Sequence, residues 1–213
     1  MALTIDHIHL IYNLLTQSLI GGKKSKSILE IGQQNWFGDV DPVSLFKVAP
    51  FNDEKYQKHL AKIKTLWSER PNGYLFELAF VFYQISFEME QYRAFDLHGT
   101  DIAEPVDLNY PVLADHQYDV VTNFGTTEHI FNQASVFETI HNFTKASGLM
   151  LHVVPNQGQY NHGFYNYHPT FFYDLASANE YEMVAFAVLE RIEGTRGKTV
   201  GIVQRSKYQD LVN

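Results

Sequence analysis

Ser27-Ile28-Leu29-Glu30-Ile31-Gly32 is the stretch on which the fold turns, a short apolar run that ends in glycine. Apolar residues at successive positions fit a strand buried on both faces of a parallel sheet, and the glycine fits the turn that follows. Upstream, Ile5 to Ile20 places apolar residues at 5, 8, 11, 14, 15 and 19, the spacing of an amphipathic helix, with Gly21-Gly22 as its stop. Downstream, helical patterns run from Asp53 to Trp67 and from Tyr74 to Glu88, broken by Arg70-Pro71-Asn72-Gly73. Strand signals follow at Tyr92 to Asp96, Pro105 to Leu108 and Tyr118 to Phe124, then a helix from Phe131 to Thr144 and a fifth strand from Leu149 to Val154. Met183 to Leu189 and Thr199 to Gln204 read as a closing antiparallel hairpin around Glu193-Gly194-Thr195-Arg196-Gly197-Lys198.

Strands alternating with helices predict an α/β protein with a doubly wound, mostly parallel, seven-stranded Rossmann-like sheet and an antiparallel C-terminal hairpin. At 213 residues, one domain over 1–213 is expected, with 1–26 as an N-terminal helical cap and 39–90 as a helical insertion after the first strand. That insertion reads as a lid or as a contact in a homo-oligomer. A composition of 45% hydrophobic and 19% charged residues excludes a disordered chain. Cysteine is absent, which removes disulfides, thiolate metal sites and cysteine nucleophiles and fits a reducing cytoplasm.

The formal charge of −8 disfavours nucleic acid as a partner, since Lys23, Lys24 and Lys26 form the sole tight basic cluster. No apolar run reaches the roughly 20 residues of a membrane span. The N-terminus lacks the pattern of an export signal, so a cytoplasmic protein without a membrane partner is expected.

In an open parallel sheet the ligand sits beyond the carboxyl ends of the strands. The residues there are small or acidic: Glu30 and Gly32 at the first strand, Asp96 at the second, Asp107 and Asn109 at the third, Asn123 and Gly125 at the fourth. A turn glycine admits a ligand close to backbone, and a carboxylate after the second strand can accept from ribose hydroxyls, so an adenosine-type cofactor is indicated. Each residue also has a plainer reading, Asp96 as a helix cap and Gly32 as a simple turn.

These residues resemble the motifs of class I S-adenosylmethionine-dependent methyltransferases. The resemblance rests on Ile28 to Gly32, Ala94-Phe95-Asp96, Val106-Asp107-Leu108-Asn109, Tyr118 to His129 and Ser147 to Pro155, in that order. It implies that Glu30, Gly32 and Gln33 lie beside the methionine part of S-adenosylmethionine, with Asp96 and Leu97 at the ribose. It also implies that Asp107 and Leu108 flank the adenine, and that Asn123, Phe124, Gly125 and His129 lie near the sulfonium. The product of the cofactor would be S-adenosylhomocysteine. The chain departs from the family after Gly32, where Gln33-Gln34-Asn35-Trp36-Phe37-Gly38 replaces further glycines, so Trp36 and Phe37 either border the methionine pocket or plug it. The interval from Gly32 to Asp96 is several times the roughly 20 residues of the dinucleotide-binding pattern. The chain is similar to a branch of the family whose first motif reads Glu30-Ile31-Gly32-Gln33-Gln34.

Asn161, His162, Tyr165, Asn166, Tyr167 and His168 crowd the segment after the fifth strand, which reads as a substrate loop. His162 and His129 are the candidate catalytic residues, His162 as a general base because imidazole titrates near neutrality. The other reading of His162 is a hydrogen-bonded histidine in an aromatic packing loop, and of His129 a packing or capping residue. Asn161, Tyr165 and His168, with Tyr12 from the first helix, are the candidate substrate contacts. No metal is expected, because Glu128, His129, His162 and His168 lack a tight ligand spacing such as His-Glu-x-x-His. The function indicated is methyl transfer to oxygen or nitrogen of a small molecule or saccharide intermediate. The alternative is a catalytically inactive binding or scaffold protein on the same fold, and a nicotinamide-dependent dehydrogenase would require the glycine-rich loop that this chain lacks.

Overall fold

The computed structural model describes residues 2–20, 26–37, 40–47, 49, 53–190 and 198–206. Gly21-Gly22, Lys23, Lys24, Gly38 and residues 193–197 of the expected hairpin turn lie outside the described residues. In chain order the first elements are β1 (Ala2–Leu3), α1 (Ile5–Thr16), β2 (Lys26–Ile31), β3 (Asn35–Trp36), α2 (Pro42–Lys47), α3 (Glu54–Glu69) and α4 (Tyr74–Phe87). They are followed by β4 (Met89–Phe95), β5 (Tyr118–Phe124), α5 (Gln133–Asn142), β6 (Thr144–Gln157), α6 (Pro169–Ala178), β7 (Glu182–Glu190) and β8 (Lys198–Arg205). The chain divides into two compact units, Met1–Lys26 with Gln34–Glu90 and Ser27–Gln33 with Gln91–Asn213.

The first unit joins the two segments read separately as cap and insertion. β1 pairs in parallel with β3, Ala2 opposite Asn35 and Leu3 opposite Trp36. α1 starts at a capping box in which the Thr4 amide donates to His7 Nδ1 at 3.1 Å. α3 starts where Asp53 Oδ1 accepts from the Tyr56 amide at 2.7 Å, and it ends at Arg70, whose left-handed φ of 48° precedes Pro71. α4 buries residues all round its surface, Leu78, Val81, Phe82 and Ile85 among them, so it is an interior helix of this unit. Trp36, 1% exposed, stacks on Phe46 at 5.8 Å and meets Phe82 edge-on at 6.2 Å. Tyr12 is buried in the same unit with its ring 5.8 Å from Phe82.

The second unit carries the sheet, in the order β4-β2-β5-β6-β8-β7. β2 pairs with β5 and β5 with β6 in parallel, whereas β8 runs antiparallel to both β6 and β7. The sheet is thus mostly parallel with an antiparallel closing hairpin. Among the described residues it has six strands where seven are expected from the sequence. The difference lies at Pro105 to Leu108, which forms no strand: an isolated parallel bridge between Phe95 and Glu104 stands just before it and is not continued. Pro105 has no N–H with which to extend that ladder. Arg93 also holds Glu104 and Asp115 at 2.6 Å each, fixing this stretch as a loop over the strand edge.

One face of the sheet is covered by α5 and α6. Leu29, Ile31, Val121, Met150 and Val154 pack there with Val136, Phe137 and Ile140 of α5 and Phe172 and Ala176 of α6. α6 is a difference from the sequence reading, in which the segment after the fifth strand is a loop and no helix follows it. His168 caps its first turn by accepting from the Thr170 amide at 3.2 Å, and Pro169 occupies a first-turn position where its fixed φ suits a helix start.

Candidate active site at the carboxyl edge of the sheet

Three strand ends of the second unit meet at Gly32. Its amide donates to the Phe95 carbonyl at 2.8 Å, tying the end of β2 to the end of β4. With φ at +83°, Gly32 has a conformation that side chains disfavour, and an added Cβ would fall 2.1 Å from Thr126 Oγ1. Thr126, just past β5, therefore occupies the space that a side chain on residue 32 would need. The Gln33 amide donates to Asp96 Oδ2 at 3.0 Å and the His98 amide to Asp96 Oδ1 at 2.9 Å. Gly32, Gln33, Asp96, Gly125 and Thr126 consequently share one corner of the sheet edge.

The Gln33 side chain takes up space that a second glycine would leave open. It is 2% exposed, its Oε1 accepts from the Thr100 amide at 2.7 Å, and its Nε2 donates to Thr100 Oγ1 at 2.8 Å. Glu30 is fully buried and accepts from the Tyr92 hydroxyl. Burial first, and the charge of Glu30 second, push the Tyr92 phenol well above its usual range, so it stays a donor. Asn123 spends its side chain within the fold: its Nδ2 donates to Thr127 Oγ1 at 3.0 Å and to His152 Nδ1 at 3.1 Å, and its Oδ1 accepts from the Thr127 amide at 3.1 Å. Only the backbone of 123–125 is left for a ligand at this point.

Asp107 lies exposed in the turn after the Glu104 bridge, accepting from the Asn109 amide at 3.0 Å and from Asn109 Nδ2 at 2.8 Å. Those bonds hold its carboxyl below the usual range. Leu108 is buried in the core cluster, while Leu97, next to Asp96, is 51% exposed.

A second group of side chains follows β5. Thr127–His129 forms a short 3-10 turn that buries Glu128 completely. The loop after β6 returns to this turn. Phe164 and Tyr165 donate their amides to the Glu128 carbonyl at 2.7 and 3.3 Å, and an added Cβ on Gly163 would lie 2.8 Å from that same oxygen. This close approach brings His162 Nε2 to 3.1 Å from Glu128 Oε1, with His129 Nε2 at 3.9 Å. Desolvation pushes the Glu128 carboxyl up, against the opposing pull of its bond to His162. Burial, then the neighbouring His162, pushes the His129 imidazole down. Beside them Phe131 and Phe164, 72% and 67% exposed, meet edge-on at 6.0 Å, and the Tyr165 hydroxyl donates to the Phe131 carbonyl at 2.8 Å.

Of Glu128, His129, His162 and His168, the first three come together, while His168 caps α6. Asn161 is exposed at φ +55°, in the same loop as His162. Tyr12 belongs to the interior of the other unit. Thr126 and Gly163 lie within stretches that the sequence singles out but receive no role of their own there, and Thr100 is missed, because their partners are remote in the chain and no local pattern marks them. A raised carboxyl bonded to an imidazole can take a proton from a hydroxyl or amine brought alongside.

No family model matches the chain, and no curated protein matches it. Solved structures do. The N-methyltransferase NodS from Bradyrhizobium japonicum superposes with a TM-score of 0.53 at 10% identity, over 95% of this chain and 96% of its own. The 1,6-didemethyltoxoflavin-N1-methyltransferase from Burkholderia thailandensis, solved with 1,6-didemethyltoxoflavin and S-adenosylhomocysteine, gives 0.53 at 10% identity, over 94% of this chain and 78% of its own. The architecture described above is the fold of S-adenosylmethionine-dependent methyltransferases.

Proposed function

We propose that the protein transfers the methyl group of S-adenosylmethionine to an oxygen or nitrogen of a small molecule, a saccharide intermediate included. The observation that carries this reading is the convergence of Gly32, Gln33, Asp96, Gly125 and Thr126 at one corner of the sheet edge. The residues fit such a cofactor. Gly32 offers backbone with no side chain, and Asp96 keeps lone pairs beyond the two that accept backbone amides, sufficient for two ribose hydroxyls. When bound, the cofactor supplies an electrophilic methyl group on a sulfonium. The chain's task is then chiefly to position the partners.

In this reading Asp96 and Leu97 hold the ribose, and Asp107 and Leu108 border the adenine. Glu30 braces the loop through Tyr92, and the backbone of Phe124 and Gly125 faces the sulfonium. His129 and His162, over the buried Glu128, orient the acceptor and take its proton, and Asn161 and Tyr165 border it. The formal charge of −8 suits an acceptor that is not a nucleic acid. A scaffold without cofactor is the second reading, favoured by one observation, the Gln33 side chain packed where the family keeps open backbone.

Calorimetric titration with S-adenosylhomocysteine decides between them. The wild type is expected to bind, and Asp96→Ala to bind at least about tenfold more weakly, about 1.4 kcal/mol, with thermal melting confirming that the variant is folded. A flat titration of the wild type would establish the scaffold reading. Equal affinity in a folded Asp96→Ala would move the cofactor away from this corner.

A further inference from the structure

We infer that Glu128, His129 and His162 form a site for one divalent transition-metal cation, of the zinc or manganese kind. One potential ligand atom from each of Glu128, His129 and His162 lies within 4.8 Å of the other two. Donors around a four-coordinate ion with bonds near 2.1 Å stand about 3.4 Å apart, so the separations of 3.1 and 3.9 Å from the carboxylate already bracket that value. Two imidazole nitrogens and one carboxylate oxygen are ordinary ligands for such ions, and three protein ligands leave further positions open.

Independent of that geometry, Glu128 is a fully buried side chain whose Oε2 has no hydrogen-bond partner among the described residues. Burying a carboxylate with one oxygen unpaired is costly, and a cation bound to the group offsets the cost of burying its charge. The hydrogen bond from His162 satisfies only the other oxygen. The two imidazole rings stand 5.1 Å apart beside this single carboxylate. Gly163 and the amides of Phe164 and Tyr165 fix the His162 loop on the Glu128 backbone, so the donors are held together before any ion arrives. His129 and His162 keep side-chain exposures of 37% and 43%, so the cluster is open to solvent on the histidine side.

The cation would anchor a donor oxygen of the methyl acceptor there, a role that rests on the methyltransferase reading, whereas the site rests on its own geometry. With His129 and His162 both as ligands, the ion would acidify the acceptor in place of a free imidazole, and the acceptor's proton would pass to solvent water.

Chelator-treated full-length chain titrated with Zn2+ and with Mn2+ tests the site. One ion per chain is expected, with affinity at least about tenfold lower in His162→Ala and in His129→Ala. Both histidines are partly exposed, so the variants are expected to fold, and His162→Ala is expected to keep its S-adenosylhomocysteine affinity. No binding into the millimolar range, or binding unaltered in both variants, would overturn the site. A wild type that takes the cofactor but no cation would overturn the site and leave the enzyme standing. A wild type that binds one ion through these histidines but no cofactor would uphold the site and remove its role in methyl transfer.

Discussion

His152 lies in β6 with 1% of its surface exposed, accepting from Asn123 and packed 5.1 Å from the Phe172 ring. Burial pushes its imidazole down to about 3, so the native state holds it neutral where an unfolded chain would protonate it. The sign follows from linkage. Above the unfolded value near 6.5 the group is neutral in both states and contributes no slope; between about 6.5 and 3 the unfolded state alone binds the proton, so stability falls with pH by about 1.4 kcal/mol per unit. His152→Gln is expected to flatten the fall in urea-unfolding free energy from pH 7 to pH 4 by about one proton's worth; parallel curves for the two proteins would contradict a buried neutral His152. At this scale the sequence was informative wherever a residue's position along its own strand sufficed. Gly32 and Asp96 stand out because glycine and carboxylate follow apolar runs. Thr126 does not, since its contact with Gly32 is set by the register of β2 against β5.

The loop carrying His162 and the turn carrying Glu128 act as a pair of elements joined at Gly163. Any side chain at 163 meets the Glu128 carbonyl at 2.8 Å and Glu128 Cγ at 2.9 Å, so one element must shift. Gly163→Ala is expected to raise the hydrogen-exchange rates of the Phe164 and Tyr165 amides about tenfold for each 1.4 kcal/mol of lost loop stability, with amides of β5 unchanged. Unchanged protection at both amides would show that the loop does not depend on this close approach. Among the elements, β5 matches its sequence reading residue for residue, because Tyr118 to Phe124 is a run buried on both faces. α6 was hidden by the aromatic residues around it, which mask a helical period, although Phe171, Phe172, Leu175 and Ala176 follow one. The expected strand at Pro105 failed because an ion pair from Arg93 and a proline decide that edge.

For the whole molecule, the alternation of strands and helices was enough to give an α/β sheet with a reversed last hairpin. It could not show that 1–26 and 34–90 make one unit, because the links between them, the two-residue pairing of β1 with β3 and the packing of Tyr12 on Phe82, join residues remote in sequence and leave no periodic trace. The function proposed for the molecule requires that its strand ends hold a nucleoside. A crystal structure of the full chain with S-adenosylhomocysteine tests this most directly. The ribose hydroxyls should lie within hydrogen-bond distance of the Asp96 carboxylate, and the sulfur beside the backbone of Phe124 and Gly125. A nucleoside bound elsewhere, with Asp96 still holding only its two backbone amides, would contradict it.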